Sequence, residues 1–214
     1  MPKMVAVGCL MALGTLACQR HSEPGADDAV DRLPLSLDEM KQISGFDGFT
    51  RDVDTDRPAA DTYVPDGPCQ ALADQRVAFG DTWIRFRSIA DNGELVSGRP
   101  RTRAPGPAVA PSTVPVVASA LQTIALYPSD VEARNVFDRR VAAMTECVGL
   151  NIPGYSGTVA HRDPDTAVYT NSTGSWAFVF VVNSAMLIEV SVLALPDAER
   201  IASDISQVII DRIN

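Results

Sequence analysis

The stretch QTIALYPSDVEARNVFDRRVAAMTECVG, Gln122 to Gly149, decides the fold. Leu121 to Tyr127 is a short apolar run with β-branched and aromatic members, the composition of a buried strand. Pro128 stops it, and Ser129 with Glu132 makes the S-x-x-E box that satisfies the first unpaired N–H groups of a helix. Ala133, Phe137, Arg140, Met144 and Cys147 then recur at helical spacing, with Val136, Val141 and Val148 beside them. One face of this helix is therefore apolar and carries a cysteine in its last turn, before Gly149 ends it.

Working outward, Thr166–Thr170, Trp176–Val182 and Met186–Leu195 read as strands rich in Val, Ile and aromatic residues, the last two joined as a tight hairpin through Asn183-Ser184. Pro196 and Asp197 break the sheet, and Ile201, Ile205, Val208, Ile209, Arg212 and Ile213 trace one stripe of a final helix expected to lie on it. Upstream, Ser36 and Glu39 repeat the capping box, with Leu35 and Met40 at the spacing of a hydrophobic staple, so a short helix runs to about Ser44 and stops at Gly45. Thr82–Ala90 alternates as a strand, and Pro68-Cys69 opens a short helix or turn over Gln70–Gln75. Asp47–Gly67, the proline-rich Arg99–Pro115 and Ile152–Asp165 read as loops. Hairpins and helices segregated along the chain predict one α+β domain, a twisted antiparallel sheet with amphipathic helices packed on it.

The run Gln122, Tyr127, Pro128, Ser129, followed by an alanine-bearing helix that ends in Cys147, resembles the PknH-like extracellular domain of mycobacterial receptor kinases and stand-alone lipoproteins. The segment around Cys69 and the C-terminal hairpin with its helix are similar too, so the likeness covers most of Leu33–Asn214. It implies a sensor-like module with a cleft on the sheet as ligand site. No glycine-rich phosphate loop with the residues of a kinase core accompanies it, so any signalling needs a partner protein. The family usually carries two disulfides, and this chain has cysteines for one at most once its leader is set aside.

That leader is Val5–Ala17, apolar after Lys3, too short for a bilayer span and followed at once by polar sequence. It ends at Thr15-Leu16-Ala17-Cys18, which resembles a bacterial lipobox, with Ala17 as the small residue before an acylated cysteine and Thr15 where leucine is preferred. An ordinary cleaved signal peptide is the alternative. The expected organisation is a signal peptide over residues 1–17, a lipid-anchored polar tether over 18–32 and a sensor-like domain over 33–214. Such a protein is held at the outer side of the cell membrane without crossing it. Cys9 leaves with the signal and Cys18 takes the lipid, which leaves Cys69 and Cys147 as an even pair in an oxidising compartment, expected to bond.

A net charge of −9 lacks the Lys and Arg clusters that phosphate backbones require, which sets nucleic acid aside as a partner. Asp52, Asp54 and Asp56 imitate the opening of a calcium loop, but Arg57 stands where the turn needs glycine and Tyr63 where it needs glutamate, so no metal and no cofactor is expected. Gly154-Tyr155-Ser156-Gly157 lacks the G-x-S-x-G spacing of a nucleophile elbow. His161, near Asp163 and Asp165, is the one imidazole of the folded part that invites an acid–base reading. Asn171-Ser172-Thr173 reads as a turn. No nucleophile, base and orienting group assemble from these motifs, so no enzyme is expected.

The function expected is a binding module of the cell envelope that recognises a small molecule, glycan or lipid; the alternative is an adhesion or scaffold protein with an envelope protein partner. With Asn183 and Ser184 as the hairpin loop, Val182 faces Ala185, Phe180 faces Leu187, Phe178 faces Glu189 and Trp176 faces Ser191. The opposite face pairs Val181 with Met186, Val179 with Ile188 and Ala177 with Val190, and its apolar character makes it the seat for helices. The first face mixes aromatic rings with a carboxylate and a hydroxyl, as pocket walls do, so Trp176, Phe178, Glu189 and Ser191 are the candidate ligand-binding residues. A buried Glu189 would need a cation, for which Arg85 or Arg87 is the expected source.

Overall fold

The structure, a computed structural model, describes residues 29–60, 66–95 and 116–213. Expectations that fall on residues 1–28, the signal and the acylated Cys18 among them, on Tyr63 and on the proline-rich segment lie outside these. The elements whose bounds lie within the described residues follow in the order α1 (Leu37–Ser44), β1 (Thr50–Thr55), α2 (Gln70–Ala73), α3 (Gln75–Phe79), β2 (Arg85–Leu95), β3 (Val116–Leu126), α4 (Asp130–Gly149), β4 (Gly157–Asp163), β5 (Thr166–Asn171), β6 (Trp176–Asn183), β7 (Met186–Leu193) and α5 (Ala198–Ile213). The strands form one antiparallel sheet in the order β1-β2-β3-β7-β6-β5-β4. Two meanders, β1 to β3 and β4 to β7, thus meet where β3 pairs with β7.

This is the α+β domain expected, and the opening stretch supplies its turning point. β3 is the last strand of the first meander, and α4 crosses one face of the sheet to start the second at the far edge, β4. Ser129 caps α4 by accepting from the Glu132 N–H at 3.2 Å. The reciprocal half of that box is absent, since Glu132 Oε1 accepts from Thr82 Oγ1 instead. In α1 both halves are present, Ser36 with Glu39, and the staple residues Leu35 and Met40 are both buried.

Two apolar layers sandwich the sheet. On one face α1, α5 and the segment through Val30, Leu33 and Leu35 pack on Ala120, Ile124, Val179, Val181, Ile188, Val190 and Val192. Val30 is fully buried and Asp31 pairs with Arg85, so the folded part takes in residues expected in the tether. On the other face α2, α3 and α4 pack on Phe86, Ala125, Tyr169, Phe178, Phe180 and Leu187. Cys69, at the start of α2, is bonded to Cys147 in the last turn of α4, as expected.

Two expected loops are strands. Asp47–Gly67 contains β1 and Ile152–Asp165 contains β4, the two edges of the sheet. Each has little apolar alternation because none of its residues is buried, and each is interrupted by a bulge, at Asp52 and at Arg162. Charged residues and bulges on the edges discourage pairing with a second sheet. The acidic residues of β1 are tied down: Asp54 pairs with Arg87 at 2.5 Å, and Asp52 accepts from Asn92 Nδ2 at 2.7 Å.

Candidate functional site

The β6–β7 hairpin keeps the two faces read from sequence but not the partners. Its loop is Ser184-Ala185, with Ser184 in the left-handed region at φ 52°, so Asn183 pairs with Met186, Phe180 with Glu189, Phe178 with Ser191 and Trp176 with Leu193. Moving the loop by one residue displaces every partner by two, and two is the pleat period, so each side chain stays on its expected side. Trp176, Phe178, Glu189 and Ser191 do share one face. Phe178 and Glu189, however, lie beneath helix α4, and Ser191 is nearly covered.

The cation for Glu189 comes from α4. Arg140 reaches Glu189 Oε2 at 2.9 Å, both side chains 2% exposed, and its guanidinium lies over the Phe180 and Phe79 rings at 4.1 and 4.8 Å. Arg85 and Arg87 cannot serve, because they alternate onto the opposite face and pair there with Asp31 and Asp54. Burial pushes the Glu189 carboxyl up and the Arg140 guanidinium down, and each charge opposes the shift of the other. The polar row continues sideways from Glu189 to Thr123 and Ser88, where Gln75 Nε2 of α3 donates to both hydroxyls at 3.0 and 2.9 Å. Burial of Gln75, Ser88 and Thr123 is tolerable because they hydrogen-bond to one another. This row seals the covered half of the face.

Beyond it the same face emerges. The next row runs from Phe178 and Ser191 through Leu121 and Ala90 to Val53, and the one after it from Trp176 and Leu193 through Ser119 and Asn92 to Thr50. Val53, Leu193 and, one row farther, Val117 are 39%, 40% and 42% exposed. Trp176 stands at the boundary, half-buried, its ring 4.9, 5.7 and 6.0 Å from those of Phe178, Tyr169 and Tyr155. Of the candidate residues, Trp176 and Ser191 border this open strip, whereas Phe178 and Glu189 belong to the core beneath α4.

Other features of the surface organise differently. A cleft of about 780 Å³ lies at the opposite end of the sheet, between the first turns of α4 and the β4–β5 and β6–β7 turns, with Asp130, Arg134, Asn135, Asp163 and Asp165 among its walls. Arg134 there pairs with Asp165 and donates to the Pro164 carbonyl. His161 lies on β4 beside Phe137, and neither nearby aspartate is turned to it: Asp165 is held by Arg134, and Asp163 accepts from the Asp165 N–H. The acid–base reading of His161 thus has no orienting carboxylate among its chain neighbours. Ser156 meets the Ser172 hydroxyl at 3.3 Å, and Asn171 closes the β5–β6 turn by accepting from the Trp176 N–H. Among the described residues no cluster of three or more His, Cys, Asp or Glu side chains is placed to hold a metal, and no helix is long and apolar enough to cross a membrane.

The profile of the PknH-like extracellular domain matches residues 26–212. The crystal structure of the extracellular domain of PknH from Mycobacterium tuberculosis superposes with a TM-score of 0.64 at 15% sequence identity, covering 90% of this chain and 98% of that one. No curated protein sequence matches. The chain thus shares that domain's fold at low identity, and its match over nearly all of the folded part makes it a member of the PknH-like extracellular domain family.

Proposed function

We propose that this chain is a lipid-anchored binding module of the outer face of the cell membrane, without catalysis, whose open strip takes an amphiphilic glycan or lipid of the envelope. One observation carries the reading: three of the eight large apolar side chains exposed among the described residues, Val53, Val117 and Leu193, lie on this one half-face. Ser119, Ser191 and Asn92 alternate with them, and Trp176 walls the strip where it meets the core. Apolar side chains with a few hydroxyl and amide groups suit a ligand that has both a hydrocarbon or sugar-ring face and polar substituents. Membership of a family of extracellular domains supports the location. The leader ending in Ala17-Cys18 supports the anchor.

The test is mass spectrometry of glycans and lipids that co-purify with the native protein and with Trp176→Ala. Loss of a bound species from the variant, with its circular dichroism unchanged, is the expected result. A wild-type protein that captures no glycan or lipid, but a single envelope protein through the same strip, favours the scaffold reading instead. For the anchor, Cys18→Ser is expected to move the protein from the membrane fraction to the soluble one, and unchanged fractionation refutes acylation at that residue.

A further inference from the structure

Eight arginines of the described chain hold carboxylates at 2.9 Å or closer. Arg57 and Arg76 do not. Their carboxylate neighbours are Asp56 and Asp74, close by in the chain and 4.0 and 3.7 Å away, and their side chains are 85% and 61% exposed. Both line a cleft of about 650 Å³ together with Pro58, Gly80, Asp81 and Trp83. The indole is fixed there: Trp83 Nε1–H donates to the Gly80 carbonyl at 3.1 Å, and the ring packs against Phe86 at 5.5 Å.

Exposed pairs at such distances contribute little, so these guanidinium groups can exchange their neighbours for a better acceptor at small cost. A phosphate offers that acceptor, because its oxygens match the guanidinium fork with two parallel hydrogen bonds. An indole held at the cleft wall presents an apolar face suited to the C–H side of a sugar ring. Asp81 adds an acceptor for hydroxyl donors and repels a bare anion that brings none. On a protein of net charge −9 there is no general attraction for anions, so capture has to come from these contacts. We propose that the cleft formed by Arg57, Arg76, Trp83 and Asp81 is a binding site for a phosphorylated sugar. It is separate from the open strip, since Arg57 follows the end of β1 and Trp83 precedes the start of β2, whereas Thr50, Asn92 and Val117 lie toward the other ends of these strands and their neighbour β3.

The chain has two tryptophans, so Trp176→Phe leaves Trp83 as the single fluorescent indole. Titration of that protein with glucose 6-phosphate is expected to change its emission saturably, glucose to leave it unchanged, and R57A/R76A to weaken binding by at least about tenfold. Should Trp176→Phe disturb the fold, the Trp83 indole N–H resonance of the otherwise unaltered protein gives the same titration. A second arm uses phosphatidylcholine vesicles with and without phosphatidylinositol, whose headgroup is also a phosphorylated ring polyol. Vesicle binding that R57A/R76A abolishes, with no response to glucose 6-phosphate, assigns the site to a lipid headgroup; response to the soluble ligand assigns it to a free sugar phosphate. No response to either probe, equal response to glucose, or binding that survives R57A/R76A overturns the proposal.

Discussion

At Arg140 a charged side chain occupies the apolar face of α4, fully inside the protein, against Glu189 and two aromatic rings. Its Nε and Nη1 have no hydrogen-bond partner, and the π faces of Phe79 and Phe180 supply attraction in place of acceptors. Removing one member leaves the other as a buried, uncompensated charge. Arg140→Met is therefore expected to lower stability by about 3–5 kcal/mol, whereas adding Glu189→Leu to it restores most of the loss, because two apolar side chains replace a matched pair. Urea denaturation of the single and double variants decides this, and a double variant no more stable than the single one contradicts it. The sequence showed Arg140 at a core position of its helix and Glu189 on an aromatic face. It did not join them, since their separation in the chain carries no register between helix and sheet.

Among the elements, α1 and α5 are joined by a contact that responds to pH. Glu39 closes the capping box of α1, accepting from the Ser36 N–H at 2.8 Å, and also receives Arg212 Nη2 from α5 at 2.5 Å. The backbone bond from Ser36 first, and the Arg212 contact next, hold its carboxyl at about 2, well below the ordinary value of 4.5. A depressed value means that the stabilisation is complete above about 4.5 and is lost as pH falls toward 2. Glu39→Gln is expected to flatten the stability profile between these limits while changing little under acid conditions, as thermal unfolding across pH 2–6 would show. The capping half of this arrangement was legible as S-x-x-E, because a cap spans three residues. The Arg212 half was not, because Arg212 lies 173 residues farther along the chain, on a helix whose position against α1 no local pattern gives.

For the molecule as a whole, the Cys69–Cys147 bond ties α2, within the first meander, to the last turn of α4, the crossover that leads to the second. It closes a loop of 78 residues that contains β2, β3 and the proline-rich segment, so it restrains the unfolded chain strongly. Cys69→Ser with Cys147→Ser is expected to lower stability by about 2–4 kcal/mol, and reduction of the native protein to shift its unfolding midpoint in the same direction. An unchanged midpoint for both would show that packing of α2 against α4 suffices alone.

What the amino-acid sequence determined by itself was everything set by near neighbours or by composition. The helix caps, the alternation that sorts Trp176, Phe178 and Phe180 from Ala177, Val179 and Val181, the strands β3, β6 and β7, and the cysteine pair all follow from spacing within a few residues or from simple counting. The two edge strands escaped it because no residue of either is buried, so the apolar period that marks a half-buried strand is missing. Only the tertiary structure decided which helices cover which face. Both faces of this sheet are apolar enough to need cover, and the choice depends on where the α4 crossover lands, a long-range matter that no local pattern encodes. That choice placed Glu189 and Phe178 under α4 and gave Glu189 its arginine. It left Trp176 at the border and Val53, Val117 and Leu193 exposed.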